Sequence, residues 1–158
     1  MRHLTILMIV LALGLLAGCG DGNGTLAGDL SGGTGPITPP AAKSNLMLES
    51  ANIPILATQG GTVPIMFTIK NDGAADAAVT RVKVFASLNG GAPVQIGDLN
   101  AGALASGASA NFSLPYSTSS PGDLVIDIEI DPEDEEDEED ESDNSSQHDV
   151  TVVPSSSG

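Results

Sequence analysis

The residues best able to do chemistry are carboxylates crowded near the end of the chain. Between Asp127 and Asp143, 13 of 17 residues are Asp or Glu, out of 21 acids in the 158-residue sequence. Hard oxygen ligands in such excess suit Ca²⁺. Three of them alternate along a predicted strand, so we expect them to point to one side and approach the loop. The run predicts a Ca²⁺ site formed by seven acids: Asp127, Glu129, Asp131, Glu133, Asp134, Glu141 and Asp143.

Two other interpretations of the acidic run remain open. Contiguous like charges repel one another, resist packing and stay in water, so the run also fits a solvated insert that attracts ions loosely, the commoner role of such runs. It also fits an electrostatic handle for a basic partner. A comparison with the EF-hand fails because Pro132 stands where that loop needs glycine. None of these interpretations requires a cofactor.

The second chemical candidate is Cys19, the one cysteine of the chain. It follows a short basic start and an apolar run over residues 4–16, typical of a secretory signal and too short for a comfortable membrane span. Residues 16–19, Leu-Ala-Gly-Cys, resemble the lipobox of bacterial lipoproteins. That resemblance implies a signal peptide over residues 1–18 and a lipid-modified Cys19 at the mature amino terminus. A lone cysteine has no partner for an internal disulfide, which agrees with lipidation.

Composition argues against enzymes and nucleic-acid-binding proteins. After the signal peptide the chain holds one histidine, His148, and no second cysteine, so no nucleophile and base stand out as a pair. No glycine-rich phosphate loop leads from a strand into a helix. The four remaining basic residues cannot neutralise many phosphates. We therefore expect no enzymatic activity and no nucleic-acid partner.

The mature chain divides into a tether and one domain. Residues 19–43 begin with the lipidated cysteine and continue as a Gly/Pro-rich stretch without apolar periodicity, which predicts a flexible tether. Such a chain spans roughly 27 Å on average. Residues 44–153 suffice for a single core, with an acidic loop over 131–144. Residues 154–158 are predicted to be a disordered tail.

The domain is predicted to be all-β. Three stretches, at residues 63–70, 81–88 and 124–131, alternate apolar and polar side chains with the period of a half-buried strand. Turn residues separate the stretches, and Asn89-Gly90 predicts a tight hairpin. Shorter strand candidates lie at 46–53, 94–96, 110–116 and 148–153. About seven strands without a sustained helical period predict an antiparallel β-sandwich.

Three sequence motifs follow one another along the predicted domain. Residues 67–75 contain Asn71 and Gly73 at a strand end, and residues 104–112 run from Leu104 to Phe112. These two stretches resemble the V-x-N-x-G strand end and the L-x-x-G-x-S-x-x-F motif of CARDB, a bacterial cell-adhesion-related domain. The stretch from Asp131-Pro132 through Glu141-Ser142-Asp143 is similar to its closing motif, although Asn144 stands where the family has a second acid. The resemblance covers residues 44–153 and implies an immunoglobulin-like fold in an envelope or extracellular protein.

Three functions remain open at this point. The first is a membrane-anchored binding or adhesion module that contacts a protein or glycan through loops or a sheet edge. The second is a Ca²⁺-responsive envelope protein that uses the acidic loop, and the third is a structural subunit of a larger envelope complex. In each case the lipid on Cys19 holds the protein on a membrane. Glycine at position 20 is compatible with the outer membrane or cell surface.

Overall fold

The computed structural model describes residues 39–156. The predicted signal peptide, Cys19 and most of the predicted tether lie outside the described residues. Residues 154–156 follow the last strand without regular structure.

Eight strands and one short 3₁₀ turn make up the described residues, which contain no α-helix. The turn covers Glu141–Asp143 and lies just before the last strand. The strands are β1 (Leu46–Asn52), β2 (Leu56–Thr58), β3 (Thr62–Asn71), β4 (Ala77–Leu88), β5 (Val94–Leu104), β6 (Ser109–Ser117), β7 (Gly122–Ile130) and β8 (Ser145–Val153).

The strands form two sheets, which confirms the predicted immunoglobulin-like β-sandwich. One sheet has the order β1-β3-β6 and the other the order β2-β8-β7-β4-β5. The eight strands agree with the prediction of about seven. One pairing departs from the predicted antiparallel arrangement, because β2 pairs with β8 in parallel. β2 has only three residues, so it is too short to show an alternating pattern. Its partner strand, β8, lies almost 100 residues away in the sequence, so no local pattern indicates the pairing.

The core lies between the sheets and consists mainly of aliphatic side chains. The inward faces predicted for β3, β4 and β7 are confirmed, because the apolar residues at every second position are buried. The one aromatic pair is Phe67 stacked on Phe112, with ring centroids 5.1 Å apart. The buried apolar residues at these alternating positions are Val63, Ile65, Phe67, Ile69, Val82, Val84, Ala86, Leu124, Ile126, Ile128 and Ile130.

The hairpin between β4 and β5 is confirmed, but β5 is much longer than predicted. Asn89 and Gly90 have φ values of 53° and 69°, and the amide of Gly91 donates to the carbonyl of Leu88 at 3.0 Å. The sequence predicted only residues 94–96 as the next strand, whereas β5 continues to Leu104. Gly, Asp and Asn interrupt the alternation in β5, which lies at a sheet edge and pairs with β4 through several register shifts.

Candidate functional site

The acidic loop, residues 131–144, connects β7 to β8 and lies against the segment that leads into β1. We call residues 43–46 the lead-in segment. Within it, the carbonyl of Ser44 accepts from the amide of Glu139 at 2.9 Å. The side chain of Asn45 accepts from the amide of Asp140 at 2.9 Å and donates to Asp143 at 3.2 Å. The loop is therefore held to the sandwich by hydrogen bonds from several of its residues.

Asp131 turns into the protein and organises the loop. It has a φ of 46°, and its side chain is 5% exposed. Its carboxylate accepts from the hydroxyl of Thr80 at 2.8 Å and from the amides of Glu135 and Glu136 at 3.2 and 2.9 Å. The prediction that Asp131 points to the same side as Asp127 and Glu129 was wrong, because β7 ends at Ile130 and the backbone turns.

Glu138 is the second buried acid of the loop, with 3% of its surface exposed. One carboxylate oxygen accepts from the amide of Leu46 and the other from the side-chain amide of Asn144 at 3.2 Å. Burial raises the pKa of Glu138 to about 7, against the lowering effect of these two hydrogen bonds. The expectation that the whole run stays in water was therefore wrong for Asp131 and Glu138.

Of the seven acids of the predicted Ca²⁺ site, four line one open cavity and three do not; the four are Glu129, Asp131, Asp134 and Glu141. Asp127 and Glu129 lie on the outer face of β7, and Glu133 forms an ion pair with Lys83. Glu141 accepts from the amide of Glu138 at 3.0 Å. Among residues 39–156, no three His, Cys, Asp or Glu side chains are placed to hold a metal ion. Binding of Ca²⁺ by the acidic loop thus stays a prediction from the sequence.

Asn71, at the end of β3, was missed as a structural centre by sequence reasoning. It is 0% exposed, and all its hydrogen bonds go to backbone groups. The side-chain oxygen accepts from the amides of Asn45 and Gly73, both at 3.1 Å. The side-chain nitrogen donates to the carbonyls of Ala75 and Leu104 at 2.8 and 2.9 Å. The burial of Asn71 could have been predicted, because every second residue of β3 faces inward and the position two residues after Ile69 is Asn71.

Gly73 leaves room for the lead-in segment. A β-carbon at this position would lie 2.4 Å from the carbonyl carbon of Ser44 and 2.5 Å from the amide nitrogen of Asn45. Both of these are backbone atoms, so no side-chain rotation relieves the overlap. Asn71 and Gly73 therefore both allow the lead-in segment to lie close to the end of β3.

Replacing Gly73 with alanine is expected to lower the free energy of unfolding by about 1–3 kcal/mol, the usual cost of forcing extra volume into a packed site. Urea unfolding of the full chain measures the change. Ala74→Ser, at the exposed neighbouring position, is the matched control and should change stability by less than about 0.5 kcal/mol. Equal effects of the two substitutions would contradict the packing role of Gly73.

The outer face of the three-stranded sheet carries hydroxyl and amide groups and few charges. Its charged residues are Lys70, paired with Asp72, and Glu49, which accepts from Ser109 at 3.1 Å. A shallow groove of about 350 Å³ runs across the middle of this face. We call this surface the neutral face; besides Lys70 and Glu49, its exposed or half-exposed residues include Ser50, Asn52, Thr62, Pro64, Met66, Thr68, Ser109, Asn111, Ser113, Pro115 and Ser117.

Comparison with known sequences identifies the domain. A sequence profile of the CARDB family matches residues 43–148, more than half of the chain. The chain belongs to the CARDB family. In this CARDB domain the V-x-N-x-G motif ends with Asn71 and Gly73, the two residues that accommodate the lead-in segment. No curated protein matches the chain in sequence.

Solved structures with the same fold include a CARDB domain and a domain of a cell-surface protein. The CARDB domain of a Pyrococcus furiosus protein, in complex with di-metal ions, is 19% identical over 72% of this chain and 96% of that chain, with a TM-score of 0.63. A domain of a candidate cell-surface protein from Methanosarcina acetivorans is 21% identical over 70% of this chain and 93% of that chain, with a TM-score of 0.56.

An enzyme also contains a domain of this shape. A β-glucosidase from Listeria innocua, in complex with glucose, is 16% identical over 70% of this chain, with a TM-score of 0.54. The match covers only 16% of the β-glucosidase chain. At such identities the likeness shows the fold alone. Within residues 39–156, no helix has the length and hydrophobicity that a membrane span requires.

Proposed function

We propose that this protein is an exported lipoprotein, anchored to a membrane by lipid on Cys19, that displays its CARDB domain at the cell envelope as a non-catalytic binding module. The signal-like start and the lipobox-like residues 16–19 support the anchor. The Gly/Pro-rich tether over residues 19–43 allows the domain to reorient above the membrane. The outer membrane or the cell surface is the proposed location, in keeping with glycine at position 20.

The neutral face is the observation that carries the binding role. The chain has a net charge of −16, yet this face is dominated by hydroxyl, amide and apolar groups. A partner that docks there does not have to desolvate carboxylates, which is costly. Hydroxyl and amide groups both donate and accept hydrogen bonds, so they suit a glycan or an uncharged protein surface.

A non-catalytic role agrees with the surroundings of the one histidine in the mature chain. His148 lies on β8, with its Nε2 atom 3.1 Å from the hydroxyl of Ser146. In the described residues no carboxylate forms a hydrogen bond with its other ring nitrogen. A nucleophile activated by histidine needs such an orienting group, so this pair does not support catalysis.

Ca²⁺ is not part of this proposal. Asp131 binds the loop's own backbone, and Lys43 and Lys83 pair with Asp137 and Glu133. These acids are therefore already engaged with the protein. The complex with di-metal ions is a property of the Pyrococcus furiosus domain and is not transferred to this chain.

The binding role is tested with isolated cell walls of the producing organism as the probe. Ser113→Glu places a charge in the groove of the neutral face and should reduce co-sedimentation of the full-length lipoprotein with cell walls about tenfold, which is about 1.4 kcal/mol. Gln147→Glu, on the exposed outer face of the other sheet, is the matched control and should bind as the wild type does. Equal binding by all three proteins would refute the assignment of this face.

A further inference from the structure

Four strands lie at the edges of the two sheets, and three of them carry features that hinder the addition of a further strand. β1 carries Glu49 and has a register shift against β3 at this residue. β5 carries Asp98 and pairs with β4 through several register shifts, and β2 has only three residues. Charges, irregular register and short length are means by which natural edge strands avoid pairing with another chain.

β6 has none of these features. Its nine residues include no charged side chain, although the chain has a net charge of −16. Its register against β3 continues without a shift from Ser117, opposite Thr62, to Ser109, opposite Lys70. In the part of the chain that the structure describes, no strand pairs with its other side, which we call the open edge. The one residue of β6 that hinders pairing is Pro115, which has no amide hydrogen.

Two observations establish which backbone groups of β6 face the open edge. The amide of Asn71 donates to the carbonyl of Ala108, just before β6, at 2.9 Å, so every second residue from Ala108 onward is hydrogen-bonded to β3. Pro64 lies opposite Pro115, which agrees with this alternation because neither residue can donate. The amides and carbonyls of the residues in between point the other way, toward the open edge. The residues of this kind ahead of Pro115 are Ser109, Asn111 and Ser113.

The open edge is complementary to itself. An antiparallel pair centred on Asn111 places this residue opposite its copy and Ser109 opposite Ser113, so that about six backbone hydrogen bonds form. Pro115 then lies just beyond the ladder. A pair centred on Phe112 would place Pro115 opposite Ser109, where the missing amide loses hydrogen bonds, and a pair centred one residue earlier than Asn111 shortens the ladder. The backbone therefore selects one register for two copies.

Antiparallel pairing keeps the acidic loops of the two copies apart. Ser109, at the start of β6, lies opposite Lys70 and near Asn71, at the end of the sandwich that holds the lead-in segment and the acidic loop. The acidic loop contains more than half of the 21 acidic residues. In the antiparallel pair the two loops lie at opposite ends, and the contact brings together hydroxyl, amide and apolar groups. The repulsion between like charges is therefore small at this contact.

We propose that the open edge of β6 is a self-association site, at which a second copy of this chain adds its own β6 in antiparallel register and joins the two three-stranded sheets into one. The contact has two-fold symmetry, so each copy offers the same surface. The site is a property of the domain, and it rests neither on the lipid anchor nor on the binding role of the neutral face. Apolar side chains of β6 that are only half-buried in one copy gain cover in the pair, namely Phe112, Leu114 and Tyr116.

Cysteine crosslinking of the full-length protein in detergent micelles tests the register. Opposite hydrogen-bonded residues of an antiparallel pair have α-carbons about 5.5 Å apart, within the range that a disulfide spans. Asn111→Cys should therefore give a disulfide-linked dimer under mild oxidation. Ser113→Cys, at another exposed position of β6, is the matched control. Its copy lies about 14 Å away in this register, so its dimer yield should be at least about tenfold lower.

Ser113→Pro, added to Asn111→Cys, tests whether the backbone carries the contact. Proline at this position removes an amide that faces the open edge and leaves the hydrogen bonds to β3 in place. We expect the dimer yield to fall about tenfold, because the symmetric pair loses the same hydrogen bond twice. Ser113→Ala keeps the amide and should leave the yield unchanged. Thermal unfolding followed by circular dichroism checks that each protein is folded, and Cys19 contributes equally to all of them.

Three results would overturn the proposal. The first is an equal dimer yield from Asn111→Cys and Ser113→Cys, which would indicate chance collision. The second is an undiminished yield after Ser113→Pro in a folded protein. The third is no dimer from Asn111→Cys, the outcome expected if the open edge takes an extended strand of a different protein or stays free in solution.

Discussion

Replacing Asn71 with alanine should lower the free energy of unfolding of the CARDB domain by about 3–5 kcal/mol. The substitution removes four hydrogen bonds to backbone groups of Asn45, Gly73, Ala75 and Leu104. Since Asn71 is fully buried, water cannot readily replace the lost partners. A buried polar group without a partner costs about 1–3 kcal/mol, and partial rearrangement keeps the total below the simple sum.

Urea unfolding of the full chain, followed by circular dichroism, measures this loss. Asn52→Ala is the matched control, because Asn52 is exposed at the end of β1. It should change stability by less than about 0.5 kcal/mol. Asn71→Asp keeps the shape of the side chain but replaces the NH₂ group, which donates to the carbonyls of Ala75 and Leu104, with an oxygen that can only accept, so it should also destabilise the domain. Wild-type stability of Asn71→Ala would show that the four hydrogen bonds contribute little.

Replacing Cys19 with serine should release the protein from membranes. Two or three acyl chains hold a protein stably on a bilayer, because each buried methylene contributes about 0.8 kcal/mol. Serine at this position cannot carry the thioether-linked lipid. We therefore expect the variant to move from the membrane fraction to the soluble fraction and to lose labelling by a fatty-acid analogue.

The control for this experiment is Asn23→Ser, which changes the predicted tether and leaves Cys19 in place. It should stay in the membrane fraction and keep the lipid label. Mass spectrometry of the mature amino terminus identifies the cleavage site directly. Undiminished membrane binding of Cys19→Ser would refute the lipid anchor while leaving the CARDB assignment untouched.

The sandwich could be predicted because its signal is local. A strand that is half buried must alternate apolar and polar residues, and β3, β4 and β7 each do so. The same alternation rule predicted only residues 94–96 of β5, because Gly97 and Gly102 interrupt the pattern in this edge strand. The alternation rule did not predict β2, since a strand of three residues has no measurable period.

The candidate sites were harder to predict, because they depend on residues far apart in the sequence. From the sequence alone, Asn71 is interpreted as a turn residue. Its structural role becomes visible only in the fold, which places Asn45 and Leu104 beside it. The sequence predicts that the whole acidic run is solvated, because nothing in its composition indicates that Glu138 is buried and Glu139 is exposed. The neutral face appears only when β1, β3 and β6 lie side by side, since each strand alone shows ordinary polar positions.

The sequence by itself determined the all-β class, the inward faces of the long strands and the CARDB family, and it predicts the lipid anchor. These features follow from short-range patterns, in which each residue is compared with near neighbours. Tertiary structure decided the pairing of β2 with β8 and the burial of Asp131 and Glu138 within an otherwise exposed acidic loop. Burial and pairing are fixed by the partners that the fold brings together across the chain, and those partners set the desolvation that raises the pKa of Glu138.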